Sequence, residues 1–397
     1  MNCWIVNLNH LSPASRQGQR DRSFLVAEAL ADAGNKVMYY SNSYDASSAK
    51  FLNNKDVAGD IDGDIKVQLL QAGSYRYQYS LAYWRYQKKL WNSFVQHAQE
   101  HDDPDVIILP YVTHAYFYSK IIAWAKAKHI RIVLDIQHVP SGPIEKLAYY
   151  WLKSSFVYAD KIVVASKACD HWVKRVTPEI QTELLYDGVP FFNSDEVYAT
   201  DSMVLLDGKV IGKTVFTCFL SSSDQKYLNV FADIATRLNN QEKADIMLVL
   251  VTDDKAMWQK MQATCEQLSH VSIYHHLTAQ EHAGLIQITD VGMSLHNDGV
   301  DSDTMLFLSA GKPVISANKG EVAELIEQHK IGLSASMLDA DALCLKMFYL
   351  HDQVKRQTMS MHAALLFSQQ FDAKKIYTVY AQQIVDLVKE SRKIYST

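Results

Sequence analysis

The segment Asp298–Ser316, DGVDSDTMLFLSAGKPVIS, gathers the carboxylates of Asp298, Asp301 and Asp303 around Gly299, then runs through an apolar stretch and a second glycine into a strand-like PVIS. Backbone amides that follow a glycine can cradle a phosphate, because no Cβ blocks the anion's approach. Carboxylates turned toward that phosphate would repel it. Asp303 is therefore expected to cap the next helix and Asp301 to face solvent. A second candidate is His138, in the pair Gln137-His138 that follows the apolar run RIVLDI. An imidazole at the carboxyl end of a strand can hydrogen-bond a hydroxyl or assist proton transfer, or simply be satisfied by a loop carbonyl. His10, at the end of the first apolar run, allows the same two readings. Arg16, Gly18 and Arg20 form SRQGQR in the loop after that run, which suits either anion approach or a solvated basic loop. In YRYQYSLAYWRYQKKLWNSF, residues 75–94, Arg76, Arg85, Lys88 and Lys89 are interleaved with aromatic rings. That mixture suits a membrane interface, a lipid phosphate or stacking on sugars, and it equally suits an aromatic helix stripe packed on its own domain.

Positioning such groups requires a framework, and the hydrophobic pattern describes one. Short apolar runs (CWIVNLN, KVMYYS, DVIILP, RIVLDI, KIVVAS) are separated by helical patterns, and a second series follows in TVFTCFL, DIMLVLVT, VSIYHH, DVGMSL and PVISA. Continuous apolar strands alternating with helices predict parallel sheets covered on both faces. Between them, NSDEVYATDSMVLLDGK is polar and poorly periodic, which suits an interdomain connection. The expected organisation is two doubly wound Rossmann-like α/β domains, residues 1–195 and 205–372. A last helix, about 374–397, is expected to pack back on the first. Ligands of doubly wound sheets bind beyond the carboxyl ends of the strands.

Length and composition agree with two ordinary globular cores: 397 residues, of which 21% are charged. The formal charge of -5 gives no reason to expect a nucleic-acid partner. Cys3, Cys169, Cys218, Cys265 and Cys344 are odd in number and lack CxxC or CxxH spacing, so they read as buried thiols in a reducing compartment. The N-terminus enters a strand directly without signal-peptide features, and no apolar run approaches the roughly 20 residues of a membrane span. A soluble, cytoplasmic or at most peripheral protein is expected. No GxGxxG follows a strand, which argues against a dinucleotide-dependent oxidoreductase.

Over nearly its whole length the sequence resembles the retaining GT-B glycosyltransferases of the glycogen-synthase-like family 4 type, particularly those that build bacterial surface polysaccharides. NHLSPASRQGQRDRSFLVAEALADAGNKV looks like that family's first strand, glycine-and-arginine loop and first helix. TELLYDGVP resembles its Asn-Gly-Val turn, with Asp187 in place of the asparagine. SAGKPVI, GEVAELI and IGL occur together at the family's spacing. The resemblance implies a GT-B architecture with a central cleft, a nucleoside-diphosphate sugar as donor substrate, and a glycan or lipid-linked acceptor. It implies no cofactor and no metal. It places catalytic roles at His138 and Asp298, and donor or phosphate contacts at Lys226, Gly299, Val300, Arg16, Gly18, Arg20, Ser221 and Glu324. Arg76, Arg85, Lys88 and Lys89 would face the acceptor or the membrane.

Two positions depart from the family pattern. Ser221 stands where the family has an arginine. Leu306 stands at the second acid of the family's Glu-x7-Glu signature, which accepts hydrogen bonds from the donor ribose, whereas Asp298 keeps the first. A hydrogen bond to a charged group is worth roughly 1.5 to 3 kcal/mol, so this loss weakens a donor site without abolishing it. Leu306→Glu is then expected to tighten nucleotide binding. The same departures motivate an alternative: a catalytically weak or inactive protein of this architecture serving as the partner subunit of an active enzyme. An epimerase on the same architecture would need more acids and histidines at the strand ends than the sequence offers. Donor base and sugar, acceptor and oligomeric state are left open by the sequence.

Overall fold

The computed structural model describes all residues except 9–20, 46–49, 52–64, 76, 78–79, 112–114, 141–155, 190–209, 222–223, 225–226, 241–244, 266–267, 296–298, 317–318 and 396–397. The chain forms two compact units, Met1–Asp187 with Ala373–Thr397, and Gly188–Asp372. The polar stretch expected to connect two domains falls on residues 190–209, outside the described residues.

The first unit runs β1 (Asn2–Val6), α1 (Arg22–Asp32), β2 (Lys36–Asn42), β3 (Tyr44–Asp45), β4 (Lys50–Phe51), β5 (Ile65–Leu70), α2 (Leu81–Gln99), β6 (Val106–Tyr111), α3 (Ala115–Ala127), β7 (Arg131–Ile136), β8 (Lys161–Val164), α4 (Lys167–Val176) and β9 (Glu183–Leu184). Its sheet has the order β5-β2-β1-β6-β7-β8-β9 and is parallel throughout, while β3 and β4 form a separate antiparallel pair. Side chains alternate across each strand, so both faces need an apolar cover. Trp4 and Val6 join the aromatic core under α2 and α3, with Trp4 stacked on Trp124 at 5.9 Å. Cys3 and Ile5 join the opposite core, with Phe24 and Leu30 of α1.

A long C-terminal helix seals that second core. In Ala373–Tyr395 the residues Ile376, Tyr377, Tyr380, Ala381 and Ile384 are buried with those of α1. Arg22, at the start of α1, is the polar centre of this region. Its Nε donates to both oxygens of Asp135 at 3.2 and 2.9 Å, and its Nη1 donates to the carbonyls of Leu185 and Tyr186 and to Asp187. Tyr377 and Tyr380 place their rings 6.0 and 5.9 Å from the guanidinium. Burial works against a guanidinium here, but Asp135 and Asp187 outweigh it, so Arg22 stays charged. The acid at position 187 therefore has a physical reason: it is the second counter-charge of a buried arginine, which asparagine could not be.

The second unit runs β10 (Thr214–Leu220), α5 (Leu228–Asn239), β11 (Ile246–Thr252), α6 (Lys255–Cys265), β12 (Val271–His275), α7 (Ala279–Ile288), β13 (Val291–Ser294), α8 (Ser302–Ser309), β14 (Val314–Ser316), α9 (Glu321–His329), β15 (Gly332–Ser334), α10 (Ala340–His351) and α11 (Gln353–Gln370); the C-terminal helix Ala373–Tyr395 is α12. The sheet order is β12-β11-β10-β13-β14-β15, again parallel. The strand order reverses direction between β10 and β13, which opens a crevice beyond their carboxyl ends.

One close approach shapes that crevice. A Cβ on Gly292 of β13 would lie 2.2 Å from the ring of Phe307, a fully buried residue of α8. Glycine is thus what lets α8 settle onto the sheet. Gly292→Ala is expected to displace Phe307 and cost about 1 to 3 kcal/mol as overpacking, lowering the Tm by a few degrees. A melting curve identical to the wild type would contradict this packing.

All five cysteines are buried, as their spacing led one to expect. Burial pushes the Cys3 thiol up to about 12 and that of Cys344 to about 11, so neither is a thiolate at neutral pH.

Candidate functional site

In the second unit, a cleft of about 580 Å³ opens at the carboxyl ends of β10 and β11. Its floor is Phe219, Leu220 and Ser221 from the end of β10 and Val251 to Asp254 from the end of β11, with Leu277 and His282 on one side and Asp303 on the other. This is the crevice at which the strand order reverses.

Each wall has a local cause. After β10 the turn is tied by Asp224, whose Oδ2 accepts from the Ser221 amide at 2.8 Å and from the Ser221 hydroxyl at 2.7 Å. After β11, Asp254 accepts from the amides of Ala256 and Met257, which starts α6 beside the cleft. α7 begins with a reciprocal cap between Thr278 and Glu281. That cap sets His282 in the first turn, where its imidazole lies against Phe219 at 4.5 Å, and Phe219 in turn stacks on Phe307 at 5.7 Å. Burial lowers the pKa of His282, with Asp253 opposing, so the ring favours its neutral form with one donor and one acceptor nitrogen.

The acids around Gly299 take other places than those expected. Asp301, not Asp303, caps α8: its Oδ1 accepts from the Thr304 amide at 2.8 Å, and its Oδ2 accepts from the hydroxyls of Ser294 and Thr304 at 2.7 and 2.8 Å. The hydroxyl of Ser294, at the end of β13, fixes the cap at Asp301. Asp303 then falls in the first turn and lines the cleft. Leu306 lies one turn further along the same helix and is half-buried. Gly299 adopts the left-handed conformation, φ +75, that a side chain disfavours. Lys312 of the GKPV motif is structural: its Nζ donates to the Gln287 carbonyl at 2.9 Å, and burial lowers its pKa.

Of the residues singled out in the sequence, Ser221 lines the cleft, and Gly299 and Val300 directly precede the cap of α8. Glu324 is exposed in the first turn of α9. His138 is exposed just beyond β7 in the first unit. Arg85, Lys88 and Lys89 project outward from α2, whereas Tyr83, Tyr86, Leu90 and Phe94 of the same helix are buried. Lys226, Asp298, Arg16, Gly18, Arg20 and Arg76, together with His10, lie outside the described residues. Phe219, Asp253, Asp254 and His282 were not anticipated as site residues. The available signal was positional: three of them end or directly follow strands of a parallel sheet.

The described lining is anionic and aromatic. It offers Asp253, Asp254, Asp303, Phe219 and a neutral imidazole, and no lysine or arginine among the described residues. Acceptor oxygens and stacked rings suit a planar group bearing hydroxyls better than a bare phosphate.

No protein-family model matches the sequence, and neither does any curated protein. The structure, however, is similar to many solved ones. Sucrose-phosphate synthase from Thermosynechococcus elongatus matches at a TM-score of 0.72 with 15% identity, over 100% of this chain and 99% of that one. HepE of Anabaena, in a complex with UDP and glucose, matches at 0.66 with 15% identity, over 97% and 100%. The UDP-forming α,α-trehalose-phosphate synthase of Burkholderia xenovorans, with glucose-6-phosphate, matches at 0.66 with 12% identity, over 98% and 99%.

Proposed function

The chain has the two-Rossmann-domain α/β fold of the GT-B class, and we propose that it is a glycosyltransferase using a nucleoside-diphosphate sugar. The observation that carries this reading is the cleft at the reversal point of the second sheet, in a chain that matches solved UDP- and UDP-glucose complexes over their full length. In this reading the nucleoside occupies the cleft. Its base stacks near Phe219 and is hydrogen-bonded by His282, and its ribose hydroxyls donate to Asp303. The diphosphate is assigned to the amides at Gly299 and Val300, which the left-handed glycine leaves open to an anion, and to Lys226.

Transfer proceeds with retention in this proposal. The departing diphosphate helps take the acceptor's proton, and His138 and Asp298 position the hydroxyls. The acceptor is a glycan or a lipid-linked saccharide of surface polysaccharide synthesis. Arg85, Lys88 and Lys89 support contact with an anionic membrane surface, because they share an exposed helix face in a segment without a single acid. Among the described residues no helix is long and apolar enough to cross a membrane.

Calorimetry with nucleoside diphosphates and their sugars tests the donor site, followed by assay of nucleoside diphosphate release with and without EDTA. Saturable binding and release that survive chelation are expected. No binding at millimolar ligand would sink the transferase reading. A second reading, a partner subunit without catalysis, is favoured by Ser221 and Leu306, and binding without turnover would support it.

A further inference from the structure

The two faces of the second sheet divide the cleft. Phe219 and Val251, neighbours in the register of β10 and β11, pack with Leu277 in the core beside α7, whereas Leu220 belongs to the opposite core. Side chains alternate along a strand, so the side that holds Val251 also receives Asp253, just past the end of β11. His282 lies against Phe219 on that side, and Asp253 is the charge that favours its protonation. A carboxylate, a neutral imidazole and an aromatic ring are thereby gathered in one part of the cleft.

Asp253 is held there from both directions. His276 adopts a left-handed conformation, φ +54, that residues other than glycine seldom take. Its amide donates to the Thr252 carbonyl, and its Nδ1 lies 3.3 Å from Asp253 Oδ1. On the other side, the Asp254 amide donates to Thr252 Oγ1 at 3.1 Å, and the Asp254 carboxylate caps α6.

What such a carboxylate selects follows from the edges of the bases. Guanine alone among the common bases presents two adjacent donors, N1–H and N2–H2, beside the acceptor O6. A carboxylate accepts both donors in a parallel fork, and an imidazole N–H can serve O6. Uracil's single ring donor is flanked by carbonyl oxygens, and the amino groups of adenine and cytosine adjoin a ring-nitrogen lone pair. Each of these sets an acceptor against the carboxylate. Building on the nucleoside reading of this cleft, we infer that the donor is a guanosine-diphosphate sugar, with Asp253 selecting the base over the Phe219 ring.

Calorimetry of the full chain with GDP, IDP, UDP and ADP is the test, since IDP differs from GDP only in lacking the N2 amine. GDP is expected to bind at least about tenfold more tightly than each of the others. Asp253→Asn should weaken GDP about tenfold and erase the difference between GDP and IDP without weakening UDP. Asp253 is exposed, so the variant should keep the wild-type Tm, and the preference is read within each protein. If it does not fold, Asp253→Ser carries the same comparison. UDP or ADP bound more tightly than GDP, or a GDP preference that survives the substitution, overturns the guanine assignment and leaves the transferase reading standing. A GDP preference lost in the variant but accompanied by no transfer supports the assignment and sinks catalysis instead. No nucleoside diphosphate bound at millimolar ligand overturns both.

Discussion

Arg22→Met is expected to destabilise the first unit by about 3 to 5 kcal/mol, the cost of leaving a buried carboxylate without its partner. Asp135 is 1% exposed, and burial pushes its carboxyl above the ordinary value, with Arg22 restraining the rise. Without the guanidinium, Asp135 must ionise in an apolar site or take up a proton, and the carbonyls of Leu185 and Tyr186 lose their donor as well. Urea unfolding followed by tryptophan fluorescence suits the measurement, because six of the seven tryptophans belong to the first unit. The companion variant Arg22→Met/Asp135→Leu should recover most of the loss, since a buried ion pair replaced by apolar groups of similar volume is often neutral. A single variant within about 1 kcal/mol of the wild type would show that the cluster is not the anchor described.

Asp303→Asn is expected to raise the Kd for a nucleoside diphosphate about 10- to 100-fold. That is the cost of exchanging a charged acceptor of ribose hydroxyls for a neutral amide. The effect should be of similar size for the nucleoside and the nucleoside diphosphate, because the contact is to the sugar. If the carboxylate instead faced phosphate, the substitution would tighten the diphosphate selectively. Titration of both ligands decides between these outcomes, and no change in either would remove Asp303 from the site.

The placement of Asp303 alters what is expected at Leu306. With a carboxylate already at the cleft one turn earlier, Leu306→Glu adds a like charge beside it and should bring little gain on its own. In the Asp303→Asn background the same change should restore affinity. Recovery only in the double variant would mean that the acid has moved along the helix rather than been lost.

The layered organisation was legible because buried parallel strands leave a local trace. TVFTCFL and DIMLVLVT are continuous apolar runs, and both form strands with nearly every residue buried. Periodicity served less well at the C-terminal helix. Val379 has an apolar side chain yet is 52% exposed, while Tyr377 and Tyr380, each with a polar hydroxyl, enter the core. Tyrosine reads as polar at its tip but buries most of its ring.

The site itself was less legible, because it depends on contacts between distant parts of the chain. Nothing near TAQEHAGLI distinguishes His282 from any other residue of an amphipathic helix; α7 has to lie against β10 before the imidazole meets Phe219. Arg22 and Asp187 were separated in the same way, so the acid at 187 looked like a departure from a motif instead of half of a charge pair. Asp301 was a local error. A D-x-x-T spacing to Thr304 was present in the sequence, and it names the residue that caps α8.

The return of α12 to the first unit has a consequence for biosynthesis. Gly188–Asp372 is one uninterrupted segment and can complete its sheet as soon as it leaves the ribosome, whereas the amino-terminal unit, although made first, lacks the helix that covers Phe24, Leu30 and Ile5. Until residue 373 and those after it emerge, that apolar surface lies uncovered and the aromatic lid over Arg22 is missing. The earlier-born half therefore finishes last, and throughout the synthesis of Gly188–Asp372 it offers a chaperone that uncovered surface.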